Sequence, residues 1–202
     1  MPITARVYST EKLSASTKSA VGDGLDIIGR YTGRISVVGE SRVKLPVDNY
    51  GAVVPDKVGY KPFDTTIDLH IFLARLGIGS NIAGRAYWNS GVAWLESRTG
   101  VSKTPLVVAH EVSHSLGFLL PGAPQAIRGD IGHCATATCI MTPSIETNTF
   151  GFADSAPTDF CLPCKADMRD VADENISEMH RLRRQLGTVT SYCYAPVEGQ
   201  YK

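Results

Sequence analysis

Apolar and polar positions alternate at the start of the chain. Ile3, Ala5 and Val7 are interleaved with Thr4, Arg6 and Tyr8, a period of two that predicts a strand. From Ser14 to Tyr31 the period lengthens, and Ala20, Val21, Leu25, Ile28 and Tyr31 fall near helical spacing. Gly22 and Gly24 weaken that helix, because glycine costs helix stability. A short β-rich run follows at Ile35–Val38. The Pro- and Gly-bearing stretch Pro46–Pro62 reads as irregular, with a short strand at Gly51–Val54. Thr65–Leu73 alternates again, placing Ile67, Leu69, Ile71 and Leu73 on one face. Arg85–Trp88 and Val92–Glu96 read as strands around an Asn89-Ser90-Gly91 turn.

Two helices are predicted in the second half. Thr104-Pro105 is a suitable start, with Thr104 as N-cap and Pro105 at the first helical position. Leu106, Val107, Val108 and Ala109 then form an apolar run, so this helix is expected to be buried. The last helix is expected from Lys165 to Leu186. Its apolar stripe runs through Met168, Val171, Ala172, Ile176, Met179, Leu182 and Leu186, with Gly187 as the stop. Residues 188–202 form a Tyr-rich tail without periodicity.

Composition narrows the classes. At 202 residues the chain is read as one domain, with its core over about 1–187. Twenty basic and twenty acidic residues balance, which argues against an electrostatic nucleic-acid or membrane partner. No apolar run is long enough to span a bilayer. The N-terminus lacks the basic-then-apolar layout of a secretory signal, so a cytoplasmic location is expected, or a secreted one if a signal has been removed. A monomer is expected.

The chemistry concentrates after residue 104. His110-Glu111-Val112-Ser113-His114 is an H-E-x-x-H sequence, with Gly117 three residues on. Side chains four apart on a helix share a face, so two imidazoles there can bind one Zn²⁺. Glu111 stands beside the first, where a carboxylate can take a proton from an attacking water. So short a motif also arises by chance; the downstream sequence argues against that. Cys134 and Cys139 form one close pair, and Cys161 and Cys164 form a Cys-x₂-Cys pair. Two such pairs can close a tetrahedral Cys₄ zinc site, with two disulfides as the alternative. The fifth cysteine, Cys193, is left over, which favours zinc. His70 and His180 are read as ordinary side chains.

The order H-E-x-x-H-x-x-G, then H-C-x₄-C-x-M, then C-x₂-C resembles the archaemetzincins (archaelysins), a branch of the metzincin metallopeptidases. His110, Glu111, His114, Gly117, His133, Cys134, Cys139, Met141, Ser144, Cys161 and Cys164 carry the resemblance. It is firm over about residues 104–165 and looser upstream, at Gly84-Arg85-Ala86 and Val92-Ala93-Trp94. It implies an α+β, metzincin-like fold: a twisted mixed sheet, an active-site helix, a long C-terminal helix and a Cys₄ zinc site. It also implies a peptidase acting on peptides or proteins with two zinc ions per chain, and for Met141 the turn beneath the zinc-binding histidines.

The chain departs from the family at one point. The third family ligand lies three residues beyond the glycine, where this chain has Leu120. His133 directly precedes Cys134, as the family's third ligand precedes its cysteine, so an insertion over Phe118–Ile131 is inferred. Asp130 is the rival ligand. The helix is expected to run about one turn past Gly117, to Pro121 or Gly122, and Phe118, Leu119 and Leu120 to pack under it. Two other readings stand beside the peptidase: a secreted metzincin-like hydrolase with disulfides in place of the second zinc, and a non-catalytic zinc-binding protein that keeps the fold.

Overall fold

The computed structural model describes residues 2–55, 66–77, 83–86, 88–98, 104–119, 123–128, 132–145 and 157–170. Its elements are β1 (Ile3–Ser9), α1 (Ala15–Thr32), β2 (Ile35–Arg42), β3 (Leu69–Ala74), β4 (Gly84–Ala86), β5 (Val92–Glu96) and α2 (Thr104–Ser115). A short helical turn follows at Pro143–Ile145, and a third helix, α3, covers 162–170. The strands form one mixed sheet in the order β2-β1-β3-β5-β4. Neighbours are parallel except β4, which runs antiparallel to β5 at the end of the sheet.

The period of two in the strands separates two cores. Ile3, Ala5, Val7, Leu69, Ile71, Leu73, Ala93 and Leu95 join Val21, Leu25, Ile28, Val107, Val108 and Val112 in one cluster under the helices. The intervening residues Tyr8, Phe72, Ala74, Val92 and Trp94 form a second cluster with Leu45, Val53 and Leu76. Across adjacent parallel strands the rings of Tyr8, Phe72 and Trp94 stack at 4.7 and 4.3 Å between centroids. Both faces of β3 are therefore buried, as parallel sheets require. His70 lies on the second face, fully buried, with Nδ1 3.1 Å from the Tyr8 hydroxyl.

α1 starts where the sequence predicts. The Ser14 hydroxyl accepts the Thr17 amide at 3.1 Å, and Gly33 ends the helix at φ +87°. Gly24 has a tertiary reason. A Cβ there would lie 2.6 Å from the Pro105 carbonyl oxygen and 2.6 Å from Val108 Cβ, so its absence lets α1 and α2 pack closely. β2 runs four residues beyond the predicted Ile35–Val38, because it pairs with β1 as far as Arg42, with one irregularity at Val38. Val53 pairs singly with Val47 and with Leu76 instead of forming the short strand expected at Gly51–Val54.

α2 ends earlier than expected. Gly117 adopts φ +87°, its amide donates to the His114 carbonyl at 2.9 Å, and the Phe118 amide donates to the Ser113 carbonyl at 2.9 Å. This paired closure is a Schellman motif, which terminates the helix at Gly117 itself. Phe118 and Leu119 are buried in the main core, as their apolarity predicts; Leu120 lies outside the described residues. α3 begins at 162, three residues before the expected Lys165, and Met168 of its stripe is buried. The rest of that stripe, with His180, Gly187, Cys193 and the tail, lies outside the described residues. No described helix is long and apolar enough to cross a membrane.

Candidate metal centre

α2 carries His110 and His114 on one face. Their Nε2 atoms are 3.0 Å apart, and their rings meet edge to face with centroids 4.5 Å apart. His133 comes from a distant part of the chain and completes the group. Its ring is 5.4 Å from that of His110 and 4.9 Å from that of His114. One ring nitrogen from each of the three lies within 4.8 Å of the others. His110 and Glu111 are fully buried, while His114 and His133 keep 6% and 8% of their surface exposed. Solvent therefore meets the cluster on the His114–His133 side.

The backbone around the cluster is closely tied. His110 Nδ1 is 2.7 Å from the Ile140 carbonyl oxygen; with Nδ1 as donor, Nε2 carries the ring's lone pair on the side of the other imidazoles. The amides of Asn89 and Gly91, in the β4–β5 turn, donate to the carbonyls of His114 and Ser115 at 2.9 and 2.8 Å. The Asn89 amide is a second donor to the His114 carbonyl beside Gly117, and the Gly91 amide satisfies the Ser115 carbonyl that the helix end leaves open. His133 is held by a short antiparallel ladder. Its carbonyl accepts the Ile127 amide at 2.9 Å, the Ala135 amide donates to the Gln125 carbonyl at 2.9 Å, and Ala126 pairs with Cys134. The segment 123–128 thus braces the returning histidine, and the Gln125 side chain hydrogen-bonds Asp167 on α3. Asp130 lies outside the described residues.

Beside this cluster the sulfurs of Cys134, Cys139, Cys161 and Cys164 converge, all within 4.8 Å of one another, and all are free thiols. Cys134 Sγ and Cys161 Sγ are 3.7 Å apart. That is far beyond a disulfide bond of about 2.05 Å. It matches the edge, about 3.8 Å, of a tetrahedron with zinc–sulfur bonds of about 2.3 Å. The Cys161 amide donates to Cys139 Sγ at 3.3 Å, and the Thr136 amide to Cys134 Sγ at 3.4 Å. The hydrogen bond from Cys164, with help from the Cys161 and Met141 backbone, outweighs burial and holds Cys139 down at about 5. The same bond and burial push Cys164 up, and burial chiefly pushes Cys161 up. Three buried sulfurs and one half-buried one at this spacing repel one another when ionised, and a divalent cation relieves that repulsion. The donor set and its spacing fit zinc.

Met141 is buried and its carbonyl accepts the Cys134 amide at 2.8 Å, so the segment between the two cysteines closes on itself. Asp159, which sequence reasoning passed over, organises the far side. Its carbonyl accepts the Ile140 amide at 3.1 Å, and its carboxylate takes the Tyr31 hydroxyl at 2.9 Å and Lys165 Nζ at 2.6 Å. Burial opposes ionisation, but Lys165, the Phe160 amide and Tyr31 together hold this carboxyl below its ordinary range. Two glycines border the site in a way the sequence does not show. A Cβ on Gly84 would lie 2.6 Å from Glu111 Oε1, and one on Gly132 would lie 2.6 Å from His114 Nδ1. No local pattern distinguishes such glycines from turn glycines.

The sheet order and the helix that bears the histidines recur in solved structures of low sequence identity. Metalloproteinase-II from Bacteroides fragilis shares the fold at 8% identity and a TM-score of 0.52, over 84% of this chain and 52% of that one. More particularly, the chain has the archaemetzincin fold. The archaemetzincin of Methanopyrus kandleri is similar at 15% identity and a TM-score of 0.58, over 87% of this chain and 96% of that one. That of Archaeoglobus fulgidus, solved with malonate, is similar at 16% identity and a TM-score of 0.52, over 82% and 99%. No protein-family model and no curated protein matches the sequence.

Proposed function

We propose that this chain is a zinc-dependent metallopeptidase that hydrolyses peptide bonds. One observation carries the reading: three imidazoles converge within 4.8 Å, and the helix that bears two of them also bears a fully buried glutamate. His110, His114 and His133 would hold a catalytic zinc, and Cys134, Cys139, Cys161 and Cys164 a second, structural one. Held by these three imidazoles, zinc would supply a Lewis acid able to acidify water and polarise a carbonyl. Glu111 accepts the proton of the attacking water and returns it to the departing amine. Ile140 fixes the His110 ring through Nδ1, and the pairing of 125–127 with 133–135 presents His133.

β4 ends the sheet, and its outer edge pairs with no strand among the described residues. A peptide or protein substrate is read as lying extended along it, joined by backbone hydrogen bonds. Free, converging thiols support zinc over disulfides and, with that, a cytoplasmic enzyme. The buried Glu111 speaks against a purely structural zinc protein, which needs no general base.

The test is Glu111→Gln. The amide keeps the shape and cannot take the proton. Cleavage of a peptide library should fall at least about 10²-fold, with zinc content unchanged. Cleavage at the parental rate would remove Glu111 from the mechanism.

A further inference from the structure

Gly84 is the first residue of β4, and its missing side chain is aimed at Glu111. A Cβ built there would stand 2.6 Å from Glu111 Cγ, 2.6 Å from Oε1 and 2.8 Å from Cδ. Carbon contacts settle at about 3.5–4.0 Å, so one of the two partners would have to move by about 1 Å.

The backbone cannot easily give way. Gly84 pairs with Leu95 in the antiparallel β4–β5 ladder, and next to it the Glu96 amide donates to the Ala83 carbonyl at 2.9 Å. On the other side, α2 is pressed against α1 at Gly24 and tied by its end to the Asn89 and Gly91 amides. Both walls are fixed by main-chain hydrogen bonds or close packing. The Glu111 side chain, with its rotatable torsions, is the part that can shift. φ at Gly84 is not in the left-handed region, so conformational freedom is not what requires glycine there.

We infer that Gly84 is a positioning residue for Glu111: the bare backbone of β4 forms the slot into which the carboxylate folds, and it fixes where the general base stands relative to the three imidazoles. This rests on the reading of Glu111 as general base. It also places the base against the same strand along which the substrate is proposed to lie, so that both are set by one piece of backbone.

Gly84→Ala tests it. The variant should bind zinc like the parent and keep KM within about twofold, while kcat falls about 10²-fold, the scale of a 1 Å misplacement of a reacting group. Its crystal structure should show the Glu111 carboxylate displaced. Added to Glu111→Gln, the same substitution should change the residual rate little, because there is no longer a base to misplace. If Gly84→Ala loses thermal stability, trimming Glu111 as well, in Gly84→Ala/Glu111→Ala, should restore it. A parental kcat overturns the inference, as does an unmoved Glu111. Equal rate losses in the parent and Glu111→Gln backgrounds, or an instability that Glu111→Ala does not relieve, also overturn it and assign Gly84 to strand structure. Parental activity of Glu111→Gln alone would instead sink the reading of Glu111 and be recognisable as that separate failure.

Discussion

His110 Nδ1 and the carbonyl oxygen of Ile140 lie 2.7 Å apart, and this contact joins the two clusters. Ile140 follows Cys139 directly, its amide donates to the Asp159 carbonyl at 3.1 Å, and Asp159 is anchored to Tyr31 and Lys165. One residue, Ile140, therefore adjoins a cysteine of the thiol cluster on its N-terminal side and orients an imidazole of the histidine cluster through its carbonyl. Outer partners of this kind set the tautomer and direction of a ligating ring.

The cysteine cluster should matter to folding more than the histidine cluster does. It links the 134–141 turn to the start of α3, in a region with little regular structure, and structural zinc binding is folding free energy. Cys161→Ser should cost at least about 3 kcal/mol, a fall in Tm of about 6–12 °C. His110→Ala should cost less. Thermal melts of both variants beside metal analysis check this. One zinc and two disulfides by non-reducing mass spectrometry would refute it.

His133 against Asp130 decides the third ligand. His133→Ala should reduce the zinc content from two ions per chain to one and remove at least about 10²-fold of the activity. Asp130→Ala should keep both. The opposite pattern would define a site of two histidines and one aspartate.

Glu96 should give the fold an acid-sensitive anchor at the end of β5. Burial alone would raise its carboxyl, but the Arg98 side chain and the Leu76 and Arg98 amides, each at 3.0 Å, hold it below its ordinary value of 4.5. A carboxyl depressed in the folded state stabilises fully above its unfolded value and loses that contribution as pH falls through the folded one. Glu96→Gln should therefore cost about 1 kcal/mol near neutral pH. The difference from the parent should shrink below pH 4.5. Urea melts across that range measure it; a difference that does not change with pH would assign the loss to packing.

Much of the fold was written locally. The period of two in Ile3–Ser9 and Leu69–Ala74, the Ser14 cap and the apolar run into His110 each reflect constraints acting within one element, so the chain shows them without a partner. The four-residue spacing of His110 and His114 places both on one face of any helix, and the two cysteine pairs are equally short-range. What tertiary structure decided is what depends on chain segments far apart. Gly117, not Pro121 or Gly122, stops α2, because its left-handed backbone closes the Ser113 and His114 carbonyls just where the β4–β5 turn adds a second amide to His114 and supplies one to Ser115. β2 lengthens because β1 pairs with it as far as Arg42. Gly24 and Gly84 look like helix and strand weaknesses in the sequence; each is a site of close approach, to Val108 and to Glu111. The convergence of His133 with a helix some twenty residues earlier, and the Ile140 carbonyl that orients His110, are long-range too. A backbone carbonyl carries no residue-type signal, and a glycine's neighbour across space leaves no trace in its neighbours along the chain.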